Sequence, residues 1–374
     1  MIKICFFTGD ITRAGGTERV STVIANGLAQ TSKYEIHILS IVEQNSSPHF
    51  PLSATVERHT LKKEGNWISF WPKYLTLLPA LRRFLKQQHI DIIIDVDLVL
   101  DMLSLPVSVG LPVKVISWEH FHYYFERKKL YRWFASALAA AFSDYIITLT
   151  PQDKRNYQEK LHRRNNIDYI YNPIAEPYNI NIQSNVSPQQ KEKNLITIGR
   201  LAYVKRIDVL AEIVPRILCN YPDWKWYFVG EGKKRKILED VRAQYSLEDR
   251  LILTGVISNV KDYLDHTSIC VHAPLMEPFG MCLLEARACG VPCVSFDVPY
   301  GPAIIIDDKV NGFLVPPFDI EEMVDKIILL MENSDLRNKF SKNALQGMEK
   351  FQLYPIQQKW EQLLDKLVDT SCNK

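Results

Sequence analysis

The sequence predicts an α/β protein made of two Rossmann-like domains, and three observations support this. Short apolar runs alternate with stretches of helical spacing, the pattern of strand–helix units in parallel sheets. The alternation breaks off in a polar segment from Glu176 to Lys193, then starts again at Leu195. At 374 residues the chain is long enough for two cores. The domains are expected over 1–172 and 194–350, with a tail at 351–374.

In the N-terminal half, Ile2 to Thr8 reads as a strand and runs into a loop ending Ala14-Gly15-Gly16-Thr17-Glu18. Val20, Val23, Ile24 and Leu28 carry helical spacing, so a helix is expected from Thr17 to Gln30. Paired glycines let backbone approach a ligand closely, and a helix start presents free N–H groups; the same pair also serves as a plain tight turn. This half has no G-x-G-x-x-G string, so no dinucleotide site is read there.

Further strands are expected at Tyr34 to Ile41, Ile90 to Val96, Val113 to Ser117 and Tyr145 to Leu149. A basic aromatic stretch at 66–89, with Trp67, Phe70 and Trp71 beside clustered cations, suits a helix covering the sheet or one lying on a membrane interface. The strand at Val113 runs out into Ser117-Trp118-Glu119-His120-Phe121-His122, and strand ends are where open α/β sheets put ligand groups. His122 reads as an ordinary surface or interface histidine. A helix with a cationic start (Arg127, Lys128, Lys129, Arg132) is expected from Tyr123 to Phe142.

The second half opens with a strand, Leu195 to Ile198, that leads into Gly199-Arg200-Leu201, with Lys205 and Arg206 beyond and a helix from Ile207 to Leu218. Two cations between a strand and a helix can clamp a diphosphate, Arg as a planar fork and Lys as a point charge. Trp226 to Val229 is the next strand. Its Gly230-Glu231-Gly232 lacks the third glycine of a dinucleotide fingerprint, since Arg stands at 235. Leu251 to Gly255 is a strand that exits through Gly255-Val256.

The most specific string is Cys-Val-His-Ala-Pro-Leu-Met-Glu277-Pro-Phe-Gly-Met-Cys-Leu-Leu-Glu285-Ala-Arg-Ala-Cys-Gly290-Val-Pro-Cys-Val-Ser-Phe, at 270–296. It reads strand, loop, helix, strand. The loop Glu277-Pro278-Phe279-Gly280 precedes a helix from Met281 to Cys289 whose free N–H groups suit a phosphate. Glu285 lies about two turns beyond Glu277, near the same face. A short strand ending at Val315 and helices at 319–333, 335–350 and Gln357 to Val368 complete the chain.

That string, with Arg200 and Lys205 before it, resembles the family-four retaining glycosyltransferases, whose E-x7-E signature matches Glu277 and Glu285. The resemblance covers nearly the whole chain and is strongest from 195 to 315. It implies the GT-B fold, with the two domains facing each other across a cleft and the last helix packed back on the first. It also implies sugar transfer from a nucleotide-diphosphate donor with retention of configuration and with neither metal nor cofactor. Glu277 would face the sugar, Glu285 the ribose, and Arg200 with Lys205 the departing diphosphate. Phe279, Gly280 and Met281 would line the donor site, and Gly255 and Val256 would meet the base. Gly15, Gly16 and Thr17 would lie near the donor phosphate and acceptor, and His120 would line the sugar pocket. Many members carry Gly after the lysine, where this chain has Arg206, and Arg206 is given no role.

A UDP-linked donor and a lipid-linked or exopolysaccharide acceptor follow from family frequency alone. A sugar-nucleotide epimerase of the same fold and a non-enzymatic, membrane-docked scaffold stand as alternatives. A glycosidase would use two carboxylates but would not need the clamp.

Composition narrows the classes further. Net charge is +2, which argues against a dedicated nucleic-acid binder. Residues 1–171 hold 21 Lys and Arg against 16 Asp and Glu, and the remainder 24 against 27. The first half is therefore the one expected to meet an anionic surface such as the inner membrane. The seven cysteines form no C-x-x-C pair, and with no secretion signal they are expected to be reduced thiols in a cytoplasmic protein. No apolar run approaches the ~18 residues of a spanning helix.

Overall fold

The computed structural model describes residues 1–62, 76–124, 129–174, 176–178 and 191–372. The expected aromatic helix around Trp67, Phe70 and Trp71, the cations Arg127 and Lys128, and most of the expected linker lie outside them. The chain divides into two units, one of Met1–Pro173 with Leu353–Lys374, the other of Ile174–Gln352.

In the first unit the strands are β1 (Ile2–Thr8), β2 (Tyr34–Val42), β3 (Glu57–Lys62), β4 (Ile92–Val96), β5 (Lys114–Trp118), β6 (Tyr145–Thr148) and β7 (Ile167–Tyr169). They form one parallel sheet in the order β3-β2-β1-β4-β5-β6-β7. In the second, β8 (Asn194–Ile198), β9 (Lys225–Val229), β10 (Leu251–Gly255), β11 (Ile269–His272), β12 (Cys293–Phe296) and β13 (Gly312–Val315) are ordered β10-β9-β8-β11-β12-β13. Both orders step outward in one direction from the first strand and then return on its other side. That reversal opens a crevice at the carboxyl ends of β1 and β4 in one sheet and of β8 and β11 in the other.

Helices on the faces bury the sheets, so the central strands are mostly apolar. In the second unit Val209, Leu210, Ile213, Val214 and Ile217 of helix Ile207–Leu218 pack against Trp226, Phe228, Ile269 and Val271. In the first, helix Leu353–Cys372 sends Trp360 edge-on to Trp118, with ring centroids 4.8 Å apart. Gln357 lies against Gly27 of helix Gly16–Ala29, where a Cβ would come within 2.7 Å of its amide oxygen.

Four sequence expectations need correction. The helix expected from Tyr123 starts at Leu130 and runs to Phe142. Side chains capture the backbone before it: Tyr123 N–H donates to Asp153 Oδ1 at 2.9 Å, and Tyr124 N–H to His122 Nδ1 at 3.2 Å. His122 is accordingly buried, not a surface residue. Arg132 is no free cation, since it forms a two-pronged pair with Asp97, both N–O distances 2.9 Å. The helix expected over 335–350 stops at Asn343, and the chain then turns through Gly347 at φ +71°.

Candidate active site

The crevice between β8 and β11 brings Lys205 and Glu277 together. Beyond β8 the chain passes Gly199 and Arg200 and turns at Tyr203–Lys205, which brings Lys205 toward β11. Leu275 N–H donates to Val204 O at 2.9 Å and ties the two strand exits together. On the other side, Gly230 and Gly232 cross the backbone of Gly199 and Leu201 so closely that a Cβ would stand 2.1 and 2.3 Å from their carbonyl oxygens. The Gly-Glu-Gly string is thus a packing device for the strand exits, with no dinucleotide needed to explain it.

Glu277 follows β11 by five residues and is buried. Lys205 Nζ donates to Glu277 Oε2. His272, the last residue of β11, donates from Nε2 to the same oxygen at 2.8 Å. Behind His272, Cys282 Sγ lies 3.8 Å from Nδ1. Burial alone would push the Glu277 carboxyl up; Lys205 and His272 outweigh it and hold its pKa at about 2. Burial likewise opposes charge on His272, but Cys282 and Glu277 lift it to about 9. Lys205 is raised too: burial works against its charge, and Glu277 more than offsets that. The crevice therefore holds an ionised carboxylate bracketed by two cations.

The loop after Glu277 is shaped for the turn into helix Met281–Ala288. Gly280 sits at φ +97°, where a side chain would be strained. Gly301 N–H donates to Glu277 O at 3.0 Å, and a Cβ on Gly301 would lie 2.4 Å from Phe279 O. No side chain caps the helix N-terminus, so its first N–H groups and dipole face outward for an anion. The helix is fixed from behind by buried Arg287, which donates to the carbonyls of Ala344 (2.7 Å), Ile305 and Gln346. Phe279 is buried and meets Phe351 edge-on; Met281 is half-buried and Glu285 buried, on the second turn.

Arg200 is exposed and has no ion-pair partner among the described residues. Arg206 lies at φ +48° and pairs with Asp208 at 2.9 Å, so it serves its own helix start. Gly255, at φ +74°, and exposed Val256 stand at the exit of β10.

In the first unit, Gly15, Gly16 and Thr17 open helix Gly16–Ala29 beyond β1. The two glycines do different jobs. A Cβ on Gly15 would collide with Glu18 Oε2 at 2.1 Å, whereas one on Gly16 would meet nothing within 4 Å. Gly16 is thus the open position. Past β5, Glu119 turns inward, accepting from Tyr157 OH (2.8 Å) and Phe121 N–H (2.9 Å). His120 is buried against Trp118 with centroids 4.1 Å apart, and burial drops its pKa to about 3, so it is neutral. Its Nε2 has no hydrogen-bond partner among the described residues.

Sequence reasoning missed His272 and Cys282. The signal for His272 was present, since a histidine closing a strand at the switch point stands where ligand groups collect. Cys282 had no signal beyond its place at the helix start. His272, Glu277 and Cys282 offer donor atoms within 4.8 Å of one another, but a cation there would compete with Lys205 for the Glu277 oxygen.

Comparison with known proteins places the chain among glycosyltransferases. Residues 179–347 match the family described as glycosyl transferases group 1, and residues 14–176 match glycosyltransferase family 4. The chain is 30% identical to an uncharacterized glycosyltransferase of Haemophilus influenzae, over 97% of this chain and all of that one. It is 23% identical to the GalNAc-alpha-(1->4)-GalNAc-alpha-(1->3)-diNAcBac-PP-undecaprenol alpha-1,4-N-acetyl-D-galactosaminyltransferase of Campylobacter jejuni, over 97% of this chain and 98% of that one. Among solved structures, HepE of Anabaena in complex with UDP-glucose superposes with a TM-score of 0.75 at 18% identity, covering 99% of this chain and 100% of that one.

Proposed function

This chain belongs to the family-four glycosyltransferases of the GT-B fold, and on that premise we propose that it is a retaining, metal-independent transferase. It moves a hexose or N-acetylhexosamine from a UDP-linked donor to a lipid-linked oligosaccharide or polysaccharide acceptor in cell-surface glycan synthesis. The observation that carries the reading is the carboxylate of Glu277, bonded to Lys205 and His272 in front of an uncapped helix N-terminus.

Each part has a task in that reaction. The helix N–H groups, Arg200 and the remaining N–H donors of Lys205 hold the diphosphate and stabilise its charge as it leaves, the kind of electrostatic effect that is usually the largest in catalysis. Glu277, kept ionised, holds sugar hydroxyls and faces the positive charge that develops as the glycosidic bond loosens. Glu285 takes the ribose hydroxyls, as an acceptor-only group can. Gly255 and Val256 approach the base, while Phe279 and Met281 shape the wall between base and sugar. The open backbone at Gly16 and Thr17 and the neutral His120 belong to the acceptor-side unit. A phosphate oxygen of the leaving group takes the acceptor proton, so no separate protein base is required.

The C. jejuni relative carries undecaprenol in its name, which supports an acceptor at the membrane. No helix among the described residues is long and apolar enough to cross one. Contact would instead be peripheral, on the anionic cytoplasmic leaflet, through helix Leu130–Phe142, whose Leu130, Trp133, Phe134 and Phe142 are exposed. A panel of nucleotide sugars screened by thermal shift tests the donor. The stabilising donor is then incubated with and without membrane-extracted glycolipid. Transfer requires acceptor-dependent release of nucleoside diphosphate, whereas conversion of the donor without acceptor would mean an epimerase. No shift with any nucleotide would overturn the reading.

A further inference from the structure

The first unit carries a second cluster, made of residues that the candidate site does not use. On the adjacent strands β2 and β3, His37 stands opposite Glu57, and His59 lies two residues along the same face. His37 Nδ1 is 3.1 Å from His59 Nε2 and 3.4 Å from Glu57 Oε2, and His59 Nε2 is 3.4 Å from that same oxygen. Three donor atoms thus form a nearly equilateral triangle. Ligands on a tetrahedral zinc ion with bonds of ~2.05 Å stand about 3.3 Å apart, which is this triangle's edge.

Hydrogen bonding alone does not explain the arrangement. His37 Nε2 faces Glu35 Oε1 at 3.1 Å and donates to it. A neutral His37 therefore turns the Nδ1 lone pair toward Glu57 and His59. Only the proton on His59 Nε2 would then lie among three acceptors, and it can bridge one pair at a time. A cation satisfies all three.

The surroundings are those of a built metal site. Glu35 holds the far nitrogen of His37 and is itself held by Lys3 Nζ at 2.8 Å, the carboxylate–histidine support that fixes a ligating imidazole. Phe84 packs edge-on to both rings, at centroid distances of 6.4 and 5.0 Å, and shields one side. The Glu57 side chain is 55% exposed, which leaves a route for the ion and room for water at the fourth position.

We propose that His37, His59 and Glu57 bind one zinc ion, which pins the edge strand β3 to β2. Two imidazoles and one carboxylate suit a borderline divalent cation better than calcium or magnesium, which prefer all-oxygen sets. The ion here is structural and takes no part in the transfer reaction.

The test uses the untagged full chain, stripped with chelator and dialysed against zinc, with metal content as the readout. One zinc per chain is expected in the wild type. Glu57→Gln and His59→Gln, both on the exposed edge strand, should weaken binding at least tenfold, and Glu35→Gln by roughly 10–100-fold. Cobalt(II) in the unaltered protein should give tetrahedral absorption with no thiolate charge-transfer band. Zinc content that survives His59→Gln, a thiolate band placing the metal on Cys282, or no retained zinc in the wild type would each overturn the proposal.

Discussion

Lys205 and His272 meet at one oxygen of Glu277, although they come from different strand exits and stand 67 residues apart in sequence. The carboxylate is thereby ionised across the whole physiological range. Its pKa, held near 2 against an ordinary value of 4.5, contributes stability that is present above about 4.5 and lost as pH falls toward 2. His272 runs the other way. Raised to about 9 from 6.5, it contributes stability that is full below 6.5 and lost as pH climbs through 9.

His272→Gln should therefore shift the acid limb of the kcat/KM pH profile upward by about one unit, because Glu277 loses one of its two cations. The alkaline fall near pH 9, where the imidazolium of the wild type deprotonates, should disappear. A variant profile that overlays the wild type would show that His272 does not act on Glu277.

Glu277 and Glu285 should separate kinetically. Glu285 is assigned to ribose hydroxyls, a contact nearly equal in ground and transition states, so Glu285→Gln should mainly raise KM. Glu277 is assigned to the developing charge, so Glu277→Gln should lower kcat about 10²-fold, with the isosteric amide unable to rescue it. Lys205→Ala should resemble Glu277→Gln and also lower Tm, since it takes from a buried carboxylate one of its two cations. Interchanged profiles for the two glutamates would reverse the assignment.

How legible these features were depended on burial. Strands such as β1, β4 and β8 are buried on both faces, so they read as apolar runs. The edge strand β3, Glu-Arg-His-Thr-Leu-Lys, is half in water and went unread, and with it the pairing of His37 with Glu57 and His59. Helix Asp101–Ser108 was also missed, since Pro106 sits inside it. In the crevice, Glu277, Lys205 and Arg200 were named from their string and spacing. Their meeting with His272 was not legible, because the strand order β8-β11 that makes neighbours of distant exits is a property of the sheet.

The N-terminal crevice contains a different electrostatic feature, Asp95 and Asp101, both fully buried. Ser104 donates to Asp95, and Ser117 to Asp101 Oδ1 at 2.7 Å. Burial raises both carboxyls, Asp95 to about 6 and Asp101 well above its ordinary value, the latter also through the charge of Asp95. The folded state thus binds more protons than the unfolded chain from roughly pH 4 upward, through about 6 for Asp95 and further for Asp101. Stability should fall as pH rises through that window. Asp101→Asn keeps an acceptor for Ser117 and removes a buried carboxyl that resists ionisation. It should raise Tm at pH 7.5 by several degrees and flatten the decline above pH 6, leaving the decline between pH 4 and 6 to Asp95, as read by thermal melts across pH. A lower Tm at pH 7.5 would show that the ionised pair is stabilising.

The last expectation concerns the membrane. On helix Leu130–Phe142, Leu130 is 77% exposed, Trp133 45% and Phe134 48%, a run of large apolar side chains with Lys129 at its head. Arg132 is withdrawn from this face by Asp97 and lies over the Phe121 ring at 4.5 Å, so the helix contributes less charge than its sequence advertises. Apolar insertion should then dominate. Burying one such side chain is worth ~1.5–3 kcal/mol, against ~1 kcal/mol for each cation near an anionic leaflet. Trp133→Gln with Leu130→Gln should cut co-sedimentation with anionic liposomes by more than tenfold while leaving Tm unchanged, because neither side chain is buried. Lys129→Gln should reduce binding about fivefold at low salt and hardly at all at high salt, where the charge is screened. Arg132→Gln should behave differently from all of these: it leaves Asp97 unpaired in the fold and should lower Tm. Binding unchanged by the paired Trp133 and Leu130 substitutions would remove this helix from the membrane, and binding equally strong to neutral and anionic vesicles would remove the contribution of Lys129.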